Sequence, residues 1–383
     1  MVIYFSESRH LTDFQDQLGR LMAHGGVASV MVFAADGNAW EVESVTMGLR
    51  KSAKPVFGGL FPRILHGGAS FESGFVLVGL PLSVQIEVLE GLSEADSDFE
   101  GKVLPIAERW SEPEGAKTLL VIADALSTRI AALVNALFYG FGLEANFIGG
   151  GAGSLSFEQK PCLICGQGLI ADAALLVRLP LQSGVGVAHG WEPISDVMKV
   201  TESEGPRIHT LDWEPAFERY RQIVEPHAGR AFSEGAFFDL AKEYPFGMSK
   251  LGAELVVRDP LMATESQDLI CVGEVPRGSF VRLLNGTPES LIAAAGRSLN
   301  EARLAYPEDA PPPAMALFID CISRALFLGD RLGEELREAN REALPLVGAM
   351  TLGEIANSGR DYLEFYNKTA VMCLLGPGHE QGG

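Results

Sequence analysis

Phe147-Ile148-Gly149-Gly150-Gly151-Ala152-Gly153 is the stretch on which the reading of this chain turns. Four glycines in five positions offer no side chain to pack and lose much backbone entropy on ordering. Placed after an apolar run, they predict a tight turn, or a backbone that something approaches closely, whether a ligand or another strand. Their N–H groups suit an anion, which makes Gly149, Gly150 and Gly151 candidate ligand-binding residues. No Gly-Lys-Ser/Thr follows, so the stretch is not a P-loop. A loop rather than a helix follows, so it is not a dinucleotide fingerprint.

Working outward, a strand from Lys117 to Ala123 and a helix from Arg129 to Phe141 precede the glycines, and a strand ending at Leu179 follows them. Ile130, Leu133, Val134, Leu137 and Phe138 give that helix its apolar spacing. The same order occurs twice more. A strand at Val2 to Phe5 and a helix at Leu11 to Met22 open the first copy. Ala28 to Phe33 then leads to Gly58-Gly59 and to the strand Gly74 to Leu80. Ala314 to Asp320 leads through a helix at Gly333 to Ala343 to Gly348 and the strand Lys368 to Leu375. Gly58, Gly149 and Gly348 lie 30, 32 and 34 residues after the start of their strands. The pattern predicts an α/β (α+β) fold of repeated strand–helix–strand modules, forming mixed sheets covered by helices. Two domains are expected, 1–180 and 181–383. Between the second and third copies, helices are expected at Ala216 to Val224 and Pro288 to Leu304. Glu254 to Val257 and Leu269 to Val272 are expected to pair around an Asp259-Pro260 turn.

Composition narrows the function classes. The 383 residues are 47% hydrophobic and 21% charged, an ordinary globular balance, and carry a net charge of −20. That charge, with no basic cluster, argues against nucleic acid. No apolar run reaches membrane-spanning length, and the N-terminus lacks the pattern of a signal peptide, so a cytoplasmic protein without membrane association is expected. Five cysteines, an odd number, fit a reducing compartment. Cys162-Leu163-Ile164-Cys165 lacks the second pair a zinc ribbon needs, so no metal site is expected. Gly-x-Ser-x-Gly, His-Glu-x-x-His and EF-hand patterns are absent, and no catalytic residue is assigned.

Polar residues at the ends of buried strands often form sites in α/β proteins. In Asp320-Cys321-Ile322-Ser323-Arg324, Arg324 suits a ligand carboxylate and Cys321 is a potential nucleophile without a base to name. Glu354 and Asn367 flank the third loop and are expected to face each other. His189, between glycines, and His66, before a glycine pair, are candidate contacts or haem ligands.

Taken together, the glycine stretch, Gly184-Val185-Gly186-Val187-Ala188-His189-Gly190-Trp191-Glu192-Pro193-Ile194, Val256-Val257-Arg258-Asp259-Pro260-Leu261, Gly353-Glu354-Ile355 and Asn367-Lys368-Thr369 resemble FIST proteins from about Ala28 to Leu375. Where that family usually has Cys-x-Gly-Arg, this chain has Cys321-Ile322-Ser323-Arg324. The resemblance implies a sensory protein that binds a small, amino acid-like ligand through Arg324, Glu354, Asn367 and Cys321, needs no cofactor, and signals through a separate partner such as a histidine kinase. A homodimer is compatible with it. The alternative it implies is a nitric-oxide sensor holding haem b through His189 or His66, and regulating a histidine kinase or a cyclic-di-GMP enzyme. A cysteine-dependent enzyme is the third reading.

Overall fold

The structure, a computed structural model, describes residues 1–110, 118–234, 236–249, 255–342, 344–357 and 362–377. Lys117, Glu254 and Ala343, expected at element ends, lie outside the described residues.

Three modules share one plan. Each has an opening strand, a parallel pair, a short hairpin and a closing strand. In module one these are Val2–Ser6, then Ser29–Ala35 with Val56–Phe61, the hairpin Arg63–His66/Ala69–Phe71, and Phe75–Leu80. Module two has Gln85–Glu90, Thr118–Asp124 with Asn146–Ala152, Leu163–Cys165/Gly168–Ile170, and Ala173–Leu179. Module three has Ser183–Ala188, Met315–Cys321 with Leu346–Thr351, Glu354–Ala356/Glu364–Tyr366, and Ala370–Leu375. The parallel pairs are buried on both faces, as their near-continuous Val, Ile, Leu, Phe and Ala content requires. Opening strand Gln85–Glu90 and the helix after it, Phe99–Arg109, which contains Pro105, have no counterpart in the sequence-based expectations.

The hairpins are exchanged in a cycle. Arg63–His66 pairs with Leu346–Thr351 of module three. Leu163–Cys165 pairs with Val56–Phe61 of module one. Glu354 of the third hairpin is the partner of Gly150 in module two. Each six-stranded sheet is therefore completed by a neighbour's hairpin, and residue 180, the expected boundary, falls in the turn between modules two and three.

The glycines sit inside strands, not at turns, which corrects the first expectation. Gly58, Gly149 and Gly348 are the register partners of Val32, Val121 and Phe318. A Cβ on them would stand 1.9, 1.8 and 1.7 Å from the carbonyl oxygens of those residues. A Cβ on Gly150 would lie 2.7 Å from the Gly353 oxygen, and one on Gly151 would lie 2.6 Å from the Leu352 oxygen. Neighbouring backbone occupies the space a ligand would need. Glycine is used here so that main chains can approach closely.

An inserted region separates the opening strand of module three from its helix Pro288–Ala305. It carries a nine-stranded sheet and the helices Ala216–Ala228 and Phe237–Ala241. The expected pairing across Asp259-Pro260 does not form. Val256–Arg258 pairs with Phe246–Met248, and Leu269–Cys271 with Pro260–Ala263, so Asp259 separates two strands that stand at opposite ends of the sheet order. Pro288–Ala305 starts as predicted, with Thr287 and Ser290 forming a capping box around Pro288.

Candidate functional site

The segments Arg258-Asp259, Gly353-Glu354 and Asn367-Lys368-Thr369, distant in sequence, meet where the inserted sheet abuts module three. Arg258 Nη1 donates to the Phe365 carbonyl at 2.9 Å. Lys368, 1% exposed and in the left-handed region at φ 52°, forms an ion pair with Asp259 Oδ2 at 3.1 Å and donates to the Lys242 carbonyl at 2.9 Å. Its ammonium lies 5.0 Å from the Trp191 ring centroid, while Trp191 Nε1 donates to the Lys368 carbonyl at 3.2 Å. Burial pushes Asp259 up, against the pull of Lys368. Burial pushes Arg258 down.

Beside this contact stands a fully buried arginine. Arg324 lies on a helix, Ile322–Leu328, that directly follows the strand Met315–Cys321. Its Nε faces Asp320 and Glu335 at 3.0 Å each. Nη1 donates to the carbonyls of His189 at 2.5 Å and Lys368 at 3.2 Å; Nη2 donates to the Leu291 carbonyl at 2.9 Å and to Glu335. All five N–H groups are thus engaged by the protein, which corrects the expectation that Arg324 clamps a ligand carboxylate. Burial and the neighbouring Glu335 hold Asp320 well above the carboxylate range. Arg324 thus lies between two buried carboxyl groups, Asp320 and Glu335.

Glu354 and Asn367 do converge, though not face to face: Glu354 pairs with Tyr366, one residue earlier. The Glu354 carboxylate accepts from Thr351 Oγ1 at 3.0 Å and from the Thr369 N–H at 3.3 Å. Burial pushes Glu354 up to about 8. Cys321 lies against Glu354 and 3.0 Å from Ser323 Oγ, so a base is present, but burial raises the thiol far out of the thiolate range. That chemistry opposes a cysteine nucleophile. Asn367 Oδ1 and Asp259 Oδ1, on residues each 3% exposed, have no donor among the described residues.

The two histidines do not come together. His189 is packed under Pro288–Ala305. Its Nδ1 accepts the Trp191 N–H at 2.9 Å, and burial lowers its pKa to about 3, helped by Arg324 and Arg297. A Cβ on the adjacent Gly190 would meet the Ser290 carbonyl at 2.4 Å, so main chain packs closely beside this histidine. His66 stacks on Phe5 with ring centroids 4.5 Å apart, and at neighbouring Gly67 a Cβ would meet nothing within 4 Å. Among the described residues, no group of three or more His, Cys, Asp or Glu is placed to hold a metal.

Sequence reasoning missed Asp320, Glu335 and the ion pair of Asp259 with Lys368. Asp259 and Lys368 stood inside recognisable motifs; Glu335 was one acidic residue among several on a polar helix and carried no signal.

A FIST N domain model matches residues 11–214 and a FIST C domain model matches residues 216–357. No curated protein matches the chain. FIST domains are signal-transduction sensory domains that bind small ligands. On these matches, which between them span most of its length, the chain belongs to the FIST family.

Proposed function

We propose that this chain senses a small ligand carrying an ammonium group, the amine end of an amino acid-like molecule, and reports it to a separate partner protein. The carrying observation is the two buried oxygens that have no donor among the described residues, Asn367 Oδ1 and Asp259 Oδ1. Buried acceptors are normally satisfied, and an ammonium brings donors only. Glu354, held near neutrality by its burial, would add a countercharge once a cation arrives. Asp259 belongs to the inserted sheet and Asn367 to module three. A ligand between them would bias how those two parts sit together, which gives a partner such as a histidine kinase something to read.

Thermal shift against free amino acids and simple amines, their N-acetyl derivatives and the deaminated acids tests this, because a specific ligand raises the melting temperature by mass action. Amine-bearing compounds should shift the wild type and not Asn367→Leu or Asp259→Asn. Equal shifts by N-acetylated compounds, or undiminished shifts in both variants, would sink the reading.

A further inference from the structure

The three modules are not equally closed on their helical faces. In module two, Ile130–Phe141 lies so tightly on Phe99–Arg109 that a Cβ on Gly140 would stand 2.8 Å from Val103 and 3.3 Å from Ala107. In module three, Pro288–Ala305 packs on Leu332–Ala339, and Arg341 closes the seam by donating to the Gly296 carbonyl at 3.1 Å and Asn300 Oδ1 at 2.7 Å. Module one differs. Its helices are Leu11–Ala23 and Val42–Leu49, and Gln15 Nε2 reaches the Ser44 carbonyl at a long 3.3 Å. A Cβ on Gly19 would meet nothing within 4 Å.

Val42–Leu49 has 8 residues where Ile130–Phe141 has 12. In module three Leu332–Ala339 is as short, with 8 residues, but Arg341 fills the seam; module one has a short helix and, among the described residues, no such side chain across it. At about 1.5 Å per residue Val42–Leu49 stops roughly one turn short. Lys51-Ser52-Ala53 pass by where that turn would continue, and a cleft of about 680 Å³ remains. That volume is in the range of small-molecule sites.

The chemistry of the walls names the occupant. Buried Phe14 and Leu18 form the floor, flanked by Leu11 and Met22, and Met47, 59% exposed, stands opposite. Two thioethers make such a surface adaptable to an apolar body. At the mouth, the Lys51 ammonium has no ion pair or hydrogen bond among the described residues. Nearby Lys54, in contrast, is engaged by the His24 and Val27 carbonyls at 3.0 and 2.5 Å. An unpaired cation beside an apolar slot complements an amphipathic anion. We infer that the cleft between Leu11–Ala23 and Val42–Leu49 is a second ligand site, for a small apolar monocarboxylate whose body lies against Phe14, Leu18 and Met47 and whose carboxylate meets Lys51.

Titration calorimetry on the full chain tests this with 3-phenylpropionate, decanoate and, as the uncharged counterpart, 3-phenylpropan-1-ol. At least one carboxylate should bind saturably at one per chain. Gly19→Phe, which fills the cleft, should abolish binding while the melting temperature is kept. Lys51→Met, at an exposed position, should weaken the carboxylates at least about threefold, the scale of one exposed charge pair, and leave the alcohol unchanged. Asn367→Leu should bind as wild type does, which separates this site from the ammonium site proposed above. No saturable binding of either carboxylate, unaltered binding in a folded Gly19→Phe, or equal weakening of acid and alcohol by Lys51→Met would overturn the assignment.

Discussion

The carbonyl oxygen of Val121 lies 1.8 Å from where a Cβ on Gly149 would stand, and the same relationship recurs between Val32 and Gly58 and between Phe318 and Gly348. Each obstacle is main chain within a parallel pair, so it cannot swing aside as a side chain would. Gly149→Ala, Gly58→Ala and Gly348→Ala are each expected to destabilise by about 3 kcal/mol or more, the upper end for overpacking. Gly19→Ala, in a helix with open space beside it, should instead gain about 0.5–1 kcal/mol. Urea unfolding of the four variants checks the contrast, and a neutral Gly149→Ala would contradict it.

Arg324, 0% exposed, supports five protein acceptors. Arg324→Met should cost about 3–5 kcal/mol, because Glu335 is left buried and uncompensated. Arg331→Met, which breaks surface pairs with Glu289 and Glu334, should change stability little. Similar losses in the two variants would show that the buried arrangement has no special weight.

Glu354 gives stability a pH dependence of defined sign. Its pKa rises from an ordinary 4.5 to about 8 in the folded protein. The folded state therefore binds more protons than the unfolded state between those values. This contribution is fully present below about pH 4.5 and is lost as pH rises through about 8. Glu354→Gln should remove that slope. Melting temperatures from pH 5 to 8.5 should converge at the acid end, with wild type falling below the variant toward pH 8.5. Parallel curves would refute the shift.

All five cysteines are free and buried. Burial raises Cys162, Cys165, Cys271, Cys321 and Cys373 above their usual range. A thiol-disulfide reagent at neutral pH should label the native protein negligibly, and five thiols should react in denaturant. Rapid native labelling at Cys321 would revive the nucleophile reading.

The threefold repeat was legible because spacing survives where identity does not: strand, helix and glycine recur at nearly constant intervals, set by the register of the parallel pair. Hairpin exchange was not legible. Leu163-Ile164-Cys165 reads as a short apolar run in any context, and nothing local says that its partner is Val56–Phe61, some hundred residues earlier. The candidate site was half legible. Glu354 and Asn367 stood out as polar residues flanking a loop, and the structure brings them to one place. Arg324 was misread, because sequence shows a charge but not the acceptors on four distant residues, His189, Leu291, Glu335 and Lys368, that take up its donors.

The cyclic exchange of hairpins also bears on how the chain is made. Arg63–His66 must wait for Leu346–Thr351, which leaves the ribosome about 280 residues later. At 5–20 residues per second that is roughly 15–55 s. Through that interval the first hairpin presents an unpaired edge, and the Asn146–Ala152 strand likewise awaits Glu354. The stretch from Leu346 to Ala356 acts as a keystone: it seals two sheets at once. Errors or pauses while that stretch is made should therefore be felt at Arg63–His66.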